Sequence, residues 1–362
     1  MHTPEAEFWI ALALVDGIGP GRLKRLYTHF GALATAWQAS TSALLDAGLD
    51  SRSAQGVQQL RAHHQPEEAL RKLSAFGVDA ICWPDERYPR LLRHIANPPM
   101  VLYARGELLP ADEVAVAIVG TRQPSAYGRQ AAQQLAHHLA EKGVTIISGL
   151  ARGVDGEVHR AALEAGGRTI AVLGSGLNVI YPREHTALAG AISRQGAVLS
   201  DYPLDAQPDA VHFPARNRIV SGMALGTIVV EAGETSGALI TARFAGEQGR
   251  DVFAVPGSIF SRQSLGVHRL IQDGAKLVAT ADDVLEELNL GMVAHQLEMQ
   301  QLLEPQDPAE RALLGALAAG PKHVDELARE TKLPIAQVSG TLALLELNGL
   351  IRQVSALTYA AH

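Results

Sequence analysis

Residues 111–290 contain seven short aliphatic runs, separated by stretches with the pattern of amphipathic helices. The runs are VAVAIVG, VTIISG, TIAVLG, AVLS, TIVVEA, DVFAVPG and KLVA. Strands that are apolar almost throughout, instead of in alternation, indicate a parallel sheet covered by helices on both faces. The pattern therefore predicts an α/β fold with a Rossmann-like doubly wound parallel sheet over residues 106–290.

The segments on either side of this sheet have different patterns. Residues 1–105 show helical apolar spacing, including the stretch 60–73, and predict an N-terminal helical domain of the helix-hairpin-helix or SAM-like type, with a proline-rich connector. Residues 291–308 are polar and predict a linker. Residues 309–362 predict three short helices and a hairpin, which is the order of a winged helix.

The composition indicates the class of protein and the cellular compartment to expect. Its 362 residues are 47% hydrophobic and 19% charged, as in ordinary globular proteins. The first apolar run follows acidic residues, unlike a secretory signal, and no apolar stretch approaches the ~20 residues of a membrane span. A single cysteine, Cys82, excludes an internal disulfide and a cysteine-rich metal site. We expect a cytoplasmic protein without membrane association.

The charge of the whole chain differs from the charge pattern of its central segment. A formal net charge of −7 argues against nucleic-acid binding. Within residues 111–290, however, 13 of the 15 basic residues are arginine. Arginine offers a planar, permanently charged fork that suits phosphate. The position of these arginines in loops is therefore more informative than the total charge.

Small residues and arginines follow several of the predicted strands. Ligands of an open parallel sheet bind outside the carboxyl ends of its strands, where glycines let the backbone approach a ligand and helix N-termini attract anions. We therefore predict an anion-binding rim. Its candidate residues are Gly120, Thr121, Arg122, Ser148, Gly149, Arg152, Gly153, Asp155, Arg216, Asn217 and Arg218.

Motifs for nucleotide cofactors and for hydrolysis are weak or absent. The segment GSGLNV only begins like a dinucleotide fingerprint, and the sequence contains no P-loop, no GxSxG elbow and no HExxH pair. Asp155 and His159 lie one helical turn apart, and two interpretations remain open for them: an acid–base pair, or hydrogen bonds that order the loop at residues 148–153. No cofactor is predicted, and a polymeric phosphate becomes the favoured ligand.

The motifs over residues 85–280 resemble those of the DNA processing protein A family (DprA, also called Smf). The matching segments are YPRLL, NPPMVLYARG, VAIVGTRQPSAYG, SGLARGVDGEVHRAAL, TIAVLGSGLNVIYP, FPARNRIVSG, EAGETSGALITARFA and DVFAVPGSIFSRQSLGVHRLIQDGAKLV, in the family's order and spacing. Two positions depart from the pattern: Asp201 stands where glutamate is common, and Ala238 where serine is common.

This resemblance implies a protein without enzymatic activity that binds single-stranded DNA, protects incoming DNA and helps load the RecA recombinase during natural transformation. It also implies a homodimer formed through the Rossmann-like domain, and the single-strand DNA-binding protein is a further candidate partner. The family's phosphate-binding turn falls on Gly120, Thr121 and Arg122, its SGxAxGxD loop on residues 148–155, and its RNR segment on Arg216, Asn217 and Arg218. By resemblance, the ligand's phosphates belong to a DNA strand.

The sequence does not decide whether two features outside the central sheet, the N-terminal glycine turn and the winged helix, contact DNA. Gly17 and Gly19 form a turn that resembles a helix-hairpin-helix motif, with Lys24 close behind, but a plain interhelical turn explains the same glycines. The predicted recognition helix of the winged helix, PIAQVSGTLALLELNGL, contains no lysine or arginine and one acid, Glu346. Because phosphate contacts dominate affinity for DNA, we expect this helix to have a protein-contact or accessory role.

Two other function classes compete with DNA binding. The loop EAGETSG loosely resembles that of nucleoside-monophosphate phosphoribohydrolases, which carry a catalytic glutamate on the helix after a glycine turn. Here the glutamate after Gly233 precedes the helix. A transcription regulator working through the winged helix is the third class, and the recognition helix without cations counts against it.

Overall fold

The computed structural model divides into two compact units, residues 1–289 and residues 290–362. Most of the predicted linker, residues 291–307, lies outside the described residues. Within the described part of the chain, no helix combines the length and apolar character that a membrane crossing requires. The residues that the structure describes are 3–290, 308–317, 320–347 and 350–361.

Six helices form the N-terminal part of the first unit, and Trp9 and Leu26 are buried in their core. The stretch over residues 60–73 contains two helices, because α5 ends at His63 and α6 begins at Pro66. Proline cannot donate a backbone hydrogen bond and makes the residue before it extended. The helices are α1 (Ala6–Ala13), α2 (Pro20–Phe30), α3 (Leu33–Gln38), α4 (Thr41–Asp46), α5 (Ser51–His63) and α6 (Pro66–Ala75).

Nine strands form one sheet in the order β1-β2-β6-β5-β4-β3-β7-β8-β9. They are β1 (Asp79–Cys82), β2 (Val101–Gly106), β3 (Ala115–Val119), β4 (Thr145–Ser148), β5 (Thr169–Leu173), β6 (Ala197–Ser200), β7 (Gly226–Val229), β8 (Asp251–Ala254) and β9 (Lys276–Leu277). Neighbouring strands from β3 to β9 are parallel. All seven predicted aliphatic runs form strands, which confirms the Rossmann-like α/β fold.

The first two strands correct the prediction for residues 1–105. That segment was predicted to be helical with a connector, but it contributes β1 and β2 to the sheet. Both pairings are antiparallel, β1 with β2 and β2 with β6. Apolar runs of four to six residues have no periodicity that separates a strand from a helix or a connector. Pairing decides their conformation: β2 pairs with β6, almost 100 residues further on, and β1 pairs with β2.

Helices cover both faces of the sheet, and alternate residues of each strand pack on opposite faces. Ala171 and Leu173 of β5 join the core of the N-terminal helices, whereas Ile170 and Val172 join the core on the other face. The sheet therefore supports the N-terminal helices directly. The helices of this part are α7 (Arg90–Arg93), α8 (Ala126–Glu141), α9 (Val154–Glu164), α10 (Thr186–Gln195), α11 (His212–Gly222), α12 (Gly237–Glu247), α13 (Leu265–Gln272) and α14 (Ala281–Glu287).

The second unit has the winged-helix order that the sequence predicts, with one additional short strand, β10. Leu313, Leu327 and Leu342 are fully buried in its small core. Its three strands pair in the order β10-β12-β11. The elements are α15 (Pro308–Leu317), β10 (Lys322–His323), α16 (Val324–Thr331), α17 (Ile335–Leu347), β11 (Ile351–Ser355) and β12 (Thr358–Ala361).

Candidate nucleic-acid interface

A cleft of about 920 Å³ opens at the carboxyl end of the parallel sheet. It lies where β3 and β7 are neighbours and the strand order runs outward in both directions, a switch point that leaves a crevice between loops. Ser148, Arg152, Gly153 and Arg218 are not among the residues that line it. The predicted residues that line it are Gly120, Thr121, Arg122, Gly149, Asp155, Arg216 and Asn217.

The turn after β3 holds the cation of the cleft that is best placed for a ligand. Arg122 is exposed, and its guanidinium lies 5.6 Å from the ring centroid of Phe213. No acidic partner of Arg122 exists among the residues that the structure describes. The Phe213 ring in turn lies 5.6 Å from that of Tyr181, which is 40% exposed. An unpaired arginine thus stands beside two aromatic rings at the cleft.

The backbone of the same turn is less available than the sequence suggests. Thr121 N donates to the carbonyl oxygen of Glu231 at 2.7 Å, so this amide is not free to bind a phosphate, and a DNA contact by Thr121 stays a prediction. The Thr121 carbonyl accepts from Val154 N at 3.2 Å, and its hydroxyl accepts from Gln123 N at 3.2 Å. Thr121 thus uses its polar groups within the protein, and the exposed Arg122 side chain is the group of this turn that is available to a ligand.

A buried carboxylate occupies the place where a dinucleotide-binding domain holds phosphate. Glu231 is only 3% exposed, and it accepts hydrogen bonds from Ser125 N at 2.9 Å and Ser125 Oγ at 2.6 Å at the start of α8. Gly128 is required there, because a Cβ at this position would collide with the Glu231 carboxylate. An internal anion therefore neutralises the N-terminus of α8, the usual phosphate site of such folds.

A second buried carboxylate, that of Asp155, accepts hydrogen bonds from the backbone amides of the loop after β4. Asp155 is buried, and its Oδ2 accepts from Gly149 N and Ala151 N at 3.2 Å each. Burial raises the pKa of Asp155, and the charge of Arg216 opposes this shift. Ser148 is fully buried and donates to the Ile118 carbonyl oxygen at 2.6 Å. This loop is ordered from within, and its DNA contact stays a prediction.

For Asp155 and His159, the sequence leaves open an acid–base pair or hydrogen bonds that order the loop, and the structure shows the loop hydrogen bonds for Asp155 alone. Asp155 orders the loop through its two amide hydrogen bonds. His159 does not take part, since its Nδ1 lies 2.6 Å from Thr169 Oγ1 and the side chain is fully buried. His159 is also absent from the cleft lining. An acid–base pair facing a ligand is therefore not formed.

The burial of His159 predicts a pH dependence of stability. Burial lowers the pKa of His159 to about 3. In the unfolded chain it takes up a proton near pH 6.5. The unfolded state therefore binds more protons between these values, and the unfolding free energy should fall as pH drops below about 6.5, by up to ~1.4 kcal/mol per pH unit. Denaturation curves from pH 7 to pH 5 should show a shallower fall for His159→Gln, and equal falls would contradict the assignment.

The three residues of the RNR segment have three different environments. Arg216 is 4% exposed, and its Nη1 donates to the carbonyl oxygens of Gly149, at 2.7 Å, and Val172. Burial lowers the pKa of the Arg216 guanidinium. Asn217 lines the cleft, and its Nδ2 donates to the carbonyl oxygen of Gly237 at 3.3 Å. Only Asn217 of these three thus has a side chain that is both outside the core and at the cleft.

Arg218 lies in a different cavity, of about 520 Å³, together with Asp201. Its Nη2 donates to Asp201 Oδ2 at 2.8 Å, and both side chains are nearly buried. Its Nε donates to the carbonyl oxygen of Asn97 at 2.9 Å. The aspartate that departs from the family pattern thus pairs with the last arginine of the segment. A DNA contact by Arg218 stays a prediction. The hydrogen bonds to Asp201 and Asn97 already occupy the Nη2 and Nε donors of its guanidinium.

Arg152 is exposed but paired. Its Nε donates to Glu184 Oε1 at 2.5 Å, and its Nη2 donates to Glu184 Oε2 at 3.1 Å. This fork lowers the pKa of Glu184 to about 2. Arg152 borders a small recess next to the cleft, together with Tyr181 and Phe213. A phosphate at Arg152 has to compete with the Glu184 carboxylate.

Gly153 closes the turn that follows Arg152. Its φ is positive, at 77°, and a Cβ at this position would collide with the Thr121 carbonyl oxygen.

Two residues that line the cleft are not among the candidates predicted from the sequence. Arg262 and Gln263 line the cleft from the loop after β8. Arg262 has no ion-pair partner within the described part of the chain. The signal that points to them is present in the sequence, since their loop also follows a strand of the parallel sheet.

The N-terminal turn uses most of its polar groups internally. The carbonyl oxygen of Gly17 accepts from Arg22 Nη1 at 2.7 Å, and Arg22 also pairs with Asp50 at 2.6 Å. Lys24 Nζ lies 4.6 Å from the ring centroid of Trp83. Gly19 precedes α2 with an extended backbone. The contacts of Gly17, Gly19 and Lys24 with DNA stay a prediction, as does the plain-turn alternative.

Comparisons with known proteins agree with one another. The family model described as DNA recombination-mediator protein A matches residues 79–289, and a model of the DprA winged helix domain matches residues 298–356. Protein Smf of Synechocystis sp. is 34% identical over 99% of both chains. Protein Smf of Escherichia coli is 38% identical over 97% of this chain and 94% of its own.

Solved structures give the same result. DNA processing protein A from Streptococcus pneumoniae superposes with a TM-score of 0.70 and 35% identity over 79% of this chain and 99% of its own. The protein of the same name from Helicobacter pylori has a TM-score of 0.51 and 32% identity over 55% of this chain and 92% of its own, and its structure concerns its single-stranded DNA binding mode. Family model, relatives and fold together show that the chain belongs to the DNA processing protein A (DprA/Smf) family.

Proposed function

We propose that this chain binds single-stranded DNA in the cleft at the carboxyl end of its sheet, protects incoming DNA and helps load the RecA recombinase onto it during natural transformation. It acts as a cytoplasmic homodimer without enzymatic activity, and the single-strand DNA-binding protein is a further candidate partner. The observation that carries the DNA-binding part is Arg122, an exposed and unpaired cation among the described residues, beside Phe213 and Tyr181.

The chemistry of the cleft supports a single strand. Proteins that bind single strands combine cations for the backbone with aromatic rings for unstacked bases. Arg122 and Arg262 supply charge, and Tyr181 and Phe213 supply rings, all in one open cleft. Arg216 and Asp155 also line it, but their opposite charges are both buried. The exposed charge at the cleft is therefore positive, although the whole chain is acidic.

The same geometry disfavours a nucleotide cofactor. A dinucleotide phosphate binds the free amides at the first helix N-terminus of such a sheet. Here the Glu231 carboxylate accepts from Ser125 at that helix, and Asp155 accepts from the amides of the next loop. A phosphate placed at either position would meet a buried carboxylate. The exposed arginine side chains are therefore the groups of the cleft that can bind an anion.

The competing phosphoribohydrolase function requires a glutamate on the helix after the glycine turn. Glu234 is exposed, precedes α12 and is absent from the cleft lining. Glu231 is buried and bonded to Ser125. Neither carboxylate is placed to act on a ligand in the cleft, which supports the non-enzymatic proposal. Incubation with AMP should release no adenine.

A binding titration tests the DNA-binding part directly. Loops at the edge of a sheet can follow a flexible strand, whereas a rigid duplex cannot present successive phosphates and bases to them. Fluorescence anisotropy with a labelled single strand and with a duplex of equal length, across a salt series, should show tighter binding of the single strand throughout. Equal affinity at every salt concentration would overturn the proposal.

A further inference from the structure

The loop after β8 carries the most exposed large apolar side chain of the described residues. Phe260 is 92% exposed, and its neighbour Ile259 is 74% exposed. Both belong to the β8 loop, defined here as residues 255–264. Isolated surface apolar residues are ordinary, but two adjacent ones at the tip of a loop beside a binding cleft indicate a contact surface.

The base of the β8 loop is held firmly, so its tip is presented in a fixed direction. Tyr127 Oη donates to the carbonyl oxygen of Pro256 at 2.6 Å. His268 Nε2 lies 3.0 Å from the carbonyl oxygen of Gly257. The amide of Phe260 itself donates to Ser258 Oγ at 3.3 Å. A tip that is ordered before binding loses less conformational freedom when a ligand binds.

The β8 loop is also tied to the turn that carries Arg122. Gln263 Nε2 donates to the carbonyl oxygen of Gln123 at 2.7 Å, and Gln123 directly follows Arg122. Arg262, two residues beyond Phe260, lines the same cleft as Arg122. The β8 loop thus contributes a cation to the cleft lining and carries an exposed aromatic side chain two residues before that cation.

This pairing of ring and cation favours a nucleic acid over the other occupants of an apolar tip. A stable contact with a second protein buries about 800 Å² on each side, whereas an aromatic side chain supplies about 150–250 Å², so Phe260 and its single neighbour Ile259 fall well short of it. A nucleobase needs only a ring face, and the phosphate next to it needs only a cation. Phe260 and Arg262 offer one of each.

We propose that Phe260 stacks on a nucleobase of the bound single strand, and that Arg262 contacts a phosphate of the same strand, so that the β8 loop extends the binding track beyond Arg122. This inference rests on the proposed single-strand binding. It names a second point of contact with the bases, outside the candidate site residues predicted from the sequence.

The test compares wild type with Phe260→Ala in binding an oligothymidine longer than ~16 nucleotides, the upper range of a single-strand site. Loss of one stacked base should weaken binding about five- to hundredfold. The slope of log affinity against log salt should not change, because no phosphate contact is lost. Phe260→Trp should keep the affinity, and its fluorescence should be quenched by the strand. Arg262→Ala should reduce the slope by about 0.7.

Two controls separate stacking from a general effect. An oligomer of abasic nucleotides offers no base, so wild type and Phe260→Ala should bind it equally. Phe76→Ala removes another exposed phenylalanine, 46% exposed and outside the cleft lining, and should leave affinity unchanged.

The outcomes distinguish this inference from the function on which it rests. If wild type binds the strand and Phe260→Ala binds it equally well, stacking is overturned and the proposed function stands. If wild type does not bind, the proposed function fails and the inference with it. A Phe260→Ala variant that keeps its DNA affinity but changes its oligomeric state or its binding to lipid vesicles assigns the tip to those partners and overturns the proposal.

Discussion

Arg122→Ala is expected to weaken the binding of single-stranded DNA about ten- to hundredfold. A charged hydrogen bond of this kind contributes ~1.5–3 kcal/mol, and ~1.4 kcal/mol corresponds to a factor of ten. The slope of log affinity against log salt should fall by about 0.7 for one lost phosphate contact. The fold should be unaffected, because the Arg122 side chain is exposed and its one described contact is with the Phe213 ring. Anisotropy titrations across a salt series measure both quantities.

Three further variants sharpen this result. Arg122→Lys should recover only part of the affinity, because lysine keeps the charge but loses the fork. Arg152→Ala should cost less than Arg122→Ala, since Glu184 already accepts two hydrogen bonds from Arg152. Arg194→Ala, at an exposed position on α10, removes a positive charge that is not part of the cleft lining and should have little effect. Unchanged affinity and slope in Arg122→Ala would show that the turn is structural and that the site is wrongly assigned.

The central sheet was predictable because burial on both faces leaves a direct mark on sequence. Each strand from β3 to β9 is a short aliphatic run, and each run ends near a glycine or another small residue. The antiparallel strands β1 and β2 carry no such mark. Their conformation depends on pairing: β2 pairs with the distant β6 and β1 pairs with β2, and local patterns do not encode these contacts.

The candidate site was predictable in place but not in detail. Strand ends of a parallel sheet meet at one edge, so the motifs located the cleft. What each side chain does there depends on burial and on partners from distant segments. Glu231 reaches Ser125 across 106 residues of sequence, and this contact uses the phosphate position that the turn motif suggested. Arg122 and Arg216 look alike in sequence, yet one is exposed and the other is in the core.

Arg216 therefore leads to a prediction about stability. Its guanidinium donates to the buried carbonyl oxygens of Gly149 and Val172, and its charge is opposed by the buried Asp155. Arg216→Ala removes this donor from both carbonyls and the countercharge from the Asp155 carboxylate. Removing one partner of such a buried arrangement costs about 3–5 kcal/mol, a large part of the ~5–15 kcal/mol that stabilises a typical protein.

The expected result for Arg216→Ala is a large fall in the denaturant midpoint of the transition that reports on the sheet. Arg122→Ala is the matched control, because an exposed substitution usually changes stability by less than ~0.5 kcal/mol. Arg216→Lys should lie between wild type and alanine, since an ammonium keeps the charge but cannot reproduce the fork. If Arg216→Ala keeps the wild-type midpoint and instead lowers DNA affinity together with the salt slope, then Arg216 binds phosphate directly. The motif-based assignment would then hold, and the internal role inferred from its burial would be wrong.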